Sequence, residues 1–175
     1  MKPKLLAGLA LAITVLATLA AGAGAAPIRT TIVADLAPRA GVAHQQGVGA
    51  LDASYNRNTG RLTYSVKYKN LVGRAFRIVI RSRATGANYV VICDPCNPVY
   101  SKARTVTQDG ATFFYPAYWH VDGVQRVDPD IAFLMEASRT FVEVDTTAYP
   151  HGEIGGPTYE PPPSNGLPQE TPRCC

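Results

Sequence analysis

The sequence predicts an all-β fold, an antiparallel Greek-key sandwich or barrel with at most one short helix. Three observations predict it: several stretches alternate apolar and polar side chains with a period of two, Gly, Pro and Asn turns keep them short, and one stretch only has helical spacing. The first strand candidate is Ile28 to Leu36. From Val48 to Tyr55, Leu51, Ala53 and Tyr55 alternate with Ala50, Asp52 and Ser54; from Leu62 to Lys69, Leu62, Tyr64, Val66 and Tyr68 alternate with Thr63, Ser65, Lys67 and Lys69. Asn56-Arg57-Asn58-Thr59-Gly60 lies between them and tolerates positive φ, so the two form a hairpin. In the next strand Phe76, Ile78 and Ile80 face one side and Arg77, Val79 and Arg81 the other. Asn88 to Ile92, Ala111 to Tyr115, Thr140 to Asp145 and Glu153 to Tyr159 complete the set. Asp128-Pro129 offers an N-cap and a first-turn proline, and Ile131, Leu134 and Met135 follow at helical spacing, which predicts a short core-packing helix.

A chain of 175 residues, 46% hydrophobic and 17% charged, suits one domain with flanking segments and excludes two full domains. Residues 1 to 26 have the layout of a signal peptide: Lys2 and Lys4, an apolar run from Leu5 to Leu19, then small residues to Ala26. The apolar run is shorter than the ~20 residues a membrane span prefers, so cleavage near Ala26 and Pro27 is expected, leaving no transmembrane segment. The domain then runs from 27 to 158. Residues 159 to 175 form a Pro-rich tail; six of the last 19 residues are proline, which predicts an extended segment. The protein is expected to be exported, to the periplasm or the exterior. Without Lys2 and Lys4, 15 basic residues face 13 acidic ones, too even a balance for a nucleic-acid binder.

Export makes disulfides the first reading of Cys93, Cys96, Cys174 and Cys175. One arrangement joins the two terminal cysteines to Cys93 and Cys96 and staples the tail to the domain. The alternative is a thiol-ligated metal or redox protein, although zinc knuckles usually come as two separated Cys-x-x-Cys pairs and Cys174-Cys175 is a bare dipeptide. His44, His120 and His151 are far apart in sequence, and no nucleophile elbow, zinc-protease motif or phosphate loop occurs, so no catalytic or metal-ligating residue is named and no cofactor is expected.

Charge is segregated along the chain. Between residues 53 and 92 stand eight basic residues and no acidic one, whereas eight of the 13 acids fall between Asp109 and Glu153. In one reading Glu143 and Asp145 sit on a strand beside that of Arg77 and Arg81 and form cross-strand ion pairs. In the other, Lys67, Lys69, Arg77, Arg81 and Arg83 make an outward surface for an anionic partner.

Four segments carry a family resemblance: Gly47-Val48-Gly49-Ala50, Thr59-Gly60-Arg61-Leu62-Thr63-Tyr64-Ser65-Val66, Thr85-Gly86-Ala87-Asn88-Tyr89-Val90-Val91, and Phe141-Val142-Glu143-Val144-Asp145-Thr146 with Pro150-His151-Gly152-Glu153-Ile154-Gly155-Gly156. Together they resemble the CHRD domain, the module named for chordin, from about residue 30 to 158. The closing segment, with Thr146, Pro150, Gly152, Glu153 and Gly156, is the most specific. The resemblance implies an immunoglobulin-like or superoxide-dismutase-like β fold and an extracytoplasmic, non-enzymatic interaction or structural role. The resemblance names no partner; with the charge layout, the partner expected is an unknown extracytoplasmic protein, a polysaccharide or an anionic surface. Many members carry a His-x-His pair on the strand corresponding to Ile78 to Arg81 and a histidine where this chain has Asp145; those histidines are absent here.

Overall fold

The β2–β3 hairpin shows how directly side-chain pattern sets the fold. Strands β2 (Val48–Asn56) and β3 (Arg61–Lys69) pair from Val48↔Lys69 to Asn56↔Arg61, and every second residue of each enters the core. The Asn56 side chain and carbonyl hold the turn, accepting from Asn58, Thr59 and Gly60 N–H groups. The computed structural model describes residues 28–43 and 45–162; the expected leader, His44, Cys174 and Cys175 lie outside them.

Around this hairpin stand β1 (Arg29–Pro38), β4 (Ala75–Ser82), β5 (Asn88–Cys93), β6 (Val99–Ser101), β7 (Arg104–Gln108), β8 (Ala111–Tyr115), β9 (Tyr118–Arg126), β10 (Thr140–Thr146) and β11 (Ile154–Pro157). The one helix among the described residues, α1 (Pro129–Glu136), precedes β10, with the Asp128 carboxylate accepting from Asp130 N–H at 2.8 Å as its cap. Nine strands form one antiparallel sheet in the order β5-β4-β10-β11-β1-β2-β3-β9-β6, curled into a half-barrel. The expected all-β, antiparallel class therefore holds, and the two layers of its core are two halves of a single sheet.

β1 joins the halves. Its residues Arg29 to Leu36 pair with β2, and Ala37 and Pro38 pair with β11 on the other side. β11 approaches so closely that a side chain on Gly156 would run into the Asp35 carbonyl. Past β11, Tyr159 exchanges two 2.9 Å backbone bonds with Val33. Between the halves lie Ile32, Leu51, Tyr55, Leu62, Val66, Ile78, Ile80, Val142, Val144 and Ile154, closed at one end by Ala132 and Met135 of α1. Burying a side chain of this size contributes about 1.5–3 kcal/mol, so this interior holds the sheet in its curl.

Strands β6, β7 and β9 are additional to the expected set. β7 and β8 pair only with each other, turning through Asp109 (φ 51°) and Gly110 (φ 80°), the two positive-φ residues that a tight type I′ hairpin requires. Two residues on each side separate them from the β6–β9 ladder, so the hairpin continues that ladder outward as a two-stranded arm.

Candidate functional site

The closing segment that carries the resemblance is built around Glu153. Its carboxylate is fully buried and accepts from Val72 N–H at 2.6 Å, Thr146 Oγ1 at 2.7 Å and Gly73 N–H at 3.4 Å. The Thr146 hydroxyl also accepts from Tyr149 N–H at 3.1 Å, which shapes the turn containing Pro150. Gly152 leaves room for Arg39 and Glu143, Gly47 and Gly49 pack beneath Ile154, and Gly60 closes the β2–β3 turn. These residues clasp the β3–β4 connection to β11. With its oxygens occupied by three donors, Glu153 works as a staple between segments some 80 positions apart in the chain.

A second cluster lies on the outward face of β4 and β10. Asp145 stands directly opposite Arg77, whose Nε donates to Oδ2 at 2.5 Å; Arg81 Nη2 is 2.6 Å from Glu143 Oε1 and 3.7 Å from Asp145 Oδ2. Arg39 pairs with the other Glu143 oxygen and donates to the His151 carbonyl at 2.5 Å. The guanidinium stems cover both carboxylates, leaving Asp145 fully buried and Glu143 nearly so. Burial and the Asp145 carboxylate beside it push the Glu143 pKa up, against the pull of Arg39 and Arg81. This cluster occupies the strands where the resemblance expects histidines.

The sequence candidates are only partly brought together. Lys67 and Lys69 on β3 are separated from Arg77 and Arg81 on β4 by β2, β1, β11 and β10, so the five basic residues do not form one stripe. Lys67 lies 3.4 Å from Asp52, and Arg83 Nη1 donates to the Ser138 carbonyl at 2.9 Å. Cys93 and Cys96 are bonded to each other, with Cα atoms 4.9 Å apart. This corrects the arrangement in which they bind the terminal cysteines: Cys93 ends β5, and the turn after it folds Cys96 straight back, its N–H bonding to the Phe76 carbonyl at 2.7 Å. His120 stands on β9 with Nδ1 2.9 Å from Asp122, and His151 occupies the turn before β11.

The remaining candidate is the mouth of the half-barrel, which sequence reasoning missed. Tyr68 on β3, Trp119 on β9 and Tyr100 on β6 are direct cross-strand partners and thus share the concave face; the Trp119 and Tyr100 ring centroids are 4.9 Å apart. Above this row opens a cavity of about 510 Å³, walled by Asn70, Leu71 and Arg74 of the β3–β4 connection and by Asn97 before β6. Tyr68 forms its floor. The Tyr68 hydroxyl is buried without a hydrogen-bond partner, and burial pushes its pKa up to about 12 against the pull of Arg74. Among the described residues no carboxylate pairs with Arg74, Lys102 or Arg104. A smaller cavity of about 300 Å³ at the root of the arm is lined by Lys102, Arg104, Tyr115 and Tyr118, with Arg104 5.4 Å above the Tyr115 ring.

Most of the large apolar side chains left exposed are here too: Val99, Tyr100, Phe113, Phe114, Tyr115 and Trp119 all belong to β6, β8 and the start of β9. Aromatic density combined with unpaired cations suits recognition of a ligand that has both apolar faces and negative charge. The model of one protein family, described as the CHRD domain, matches residues 32–157. Neither the curated proteins nor the solved structures contain a match to this chain.

Proposed function

Since the chain belongs to the CHRD domain family, we propose that it acts outside the cytoplasm as a non-enzymatic interaction module whose partner is anionic. In this reading residues 1–26 are a leader removed on export, and the Cys93–Cys96 disulfide suits the oxidising compartment reached. The observation that carries the proposal is the arm and mouth: exposed aromatic rings flanked by Arg74, Lys102 and Arg104, which have no acidic partners among the described residues. Arg77 and Arg81 contribute little to such a surface, because Asp145 and Glu143 already neutralise them.

The test is retention of the exported protein on a polygalacturonate matrix at low ionic strength. Wild type is expected to be retained and then released by added salt, while the K102E/R104E variant passes through. R77E/R81E is expected to lose stability, with retention following whatever fraction remains folded. Failure of wild type to be retained on this or any other anionic matrix would overturn the proposal.

A further inference from the structure

We propose that the mouth of the half-barrel is a saccharide site selective for pyranose rings that carry a carboxylate, that is, uronate units. The inference rests on the interaction-module reading and gives its ligand a chemical class. The cavity makes three demands at once. Trp119, part of the cavity wall and still exposed, offers a ring whose negative quadrupole suits the weakly positive C–H edge of a sugar ring, and Tyr100 packs against it from β6 outside the cavity and holds it in place. Asn70 and Asn97 each offer an amide donor and acceptor, so the ligand must both give and take hydrogen bonds at one place, as hydroxyl groups do. Among the described residues Arg74 has no carboxylate partner, and it presents a fork of donors whose planar geometry a carboxylate matches in two bonds.

Simpler ligands leave one demand unmet. A neutral sugar leaves Arg74 unanswered, a fatty acid leaves the two amides, and inorganic phosphate leaves the rings. The floor supplies an independent observation, since a buried hydroxyl without a partner is uncommon and calls for explanation. Tyr68 Oη is such a group among the described residues; it has no surface open to solvent in this conformation, and a turn of the Tyr68 ring toward the cavity would let a ligand hydroxyl partner it. A cavity of about 510 Å³ lies in the usual range for small-ligand sites, and barrel mouths are a common place for them. Because the mouth opens at the sheet edge formed by β6, a longer chain can run on past the site toward Lys102 and Arg104.

The protein has a single tryptophan, so emission from Trp119 reports directly on the mouth. Titrating the exported protein with trigalacturonate should give a saturable emission change, and cellotriose, the neutral control, should bind at least about tenfold more weakly. R74Q should abolish this preference without altering the circular dichroism spectrum. Y100A, which keeps the reporter, should weaken both sugars, and N97A, at an exposed position in the cavity wall, should do the same. A silent Trp119 with both sugars, or an intact preference for trigalacturonate in R74Q, overturns the proposal. If wild type, R74Q and Y100A are all retained equally on polygalacturonate while Trp119 stays silent, the mouth is wrong and the interaction reading stands. If retention is absent as well, both fall.

Discussion

Glu153 concentrates the residue-scale lesson: a carboxylate with no exposed surface is tolerable only because three donors meet it. E153A removes the acceptor and leaves the Val72 N–H and the Thr146 hydroxyl stranded. It should cost about 3 kcal/mol, read as a lower urea midpoint at unchanged slope. Tyr68 runs the opposite way. Its hydroxyl is buried without a partner, so Y68F should be neutral or stabilising by up to about 1 kcal/mol near neutral pH. Tyr68 also sets a pH dependence: it ionises near 10 in the unfolded chain and at about 12 in the fold. Its contribution to stability is therefore complete below pH 10 and is lost as the pH rises from 10 through 12. Unfolding measured on either side of pH 10 should show the loss in wild type, and Y68F should lessen it. The closing motif was legible from its spelling, yet the role of Glu153 was not, because Val72 and Gly73 are brought to it only by the pairing of β10 with β4 on one side and β11 on the other.

Elements repeat this division between local pattern and long-range partner. β2 and β3 could be read from alternation because each turns its large apolar side chains to the core and mostly polar ones away from it, and β4 from its flanking arginines, although Val79 between Arg77 and Arg81 is buried too. β9 escaped because its alternation is blurred: Gly123 lies beneath the Tyr64 ring, so no side chain marks that core position, while Tyr118, His120 and Asp122 mix polar with aromatic. β6 and β7 are too short and too exposed to leave a period. The pairing of β4 with β10 was anticipated as ion pairs, and a double-mutant cycle tests its strength. D145N should cost about 3 kcal/mol by leaving Arg77 without a counter-charge, Arg81 keeping Glu143, and combining it with R77Q should recover about 2 kcal/mol of that as coupling. The arm is different, because β7 and β8 pair only with each other. Replacing residues 102–117 with a tight Asn-Gly turn between Ser101 and Tyr118 should change thermal stability by less than about 1 kcal/mol while removing Lys102 and Arg104 from the partner face.

For the molecule as a whole, the large interior makes the Cys93–Cys96 bond an accessory. It closes only a short loop, so C93A/C96A should cost about 2 kcal/mol and leave a cooperative transition in denaturant. The fold class was legible because many short half-buried strands have few other ways to cover their apolar faces. The mouth was not, since Tyr68, Trp119 and Tyr100 become neighbours only through pairings between strands distant in sequence. The same topology governs the order in which the protein can be completed. Among the described strands β1 is the first to be made, and the edge it offers at Ala37 and Pro38 is filled by β11, the last of them. A growing chain therefore carries a half-covered leading strand until residue 157 has emerged. Vectorial synthesis can build the β1–β2–β3 meander early, but the seam between the two halves is sewn from the carboxyl end. A transcript truncated before Ile154 would yield a chain with one raw edge on β1 and another on β10, the kind of surface that captures a neighbouring strand.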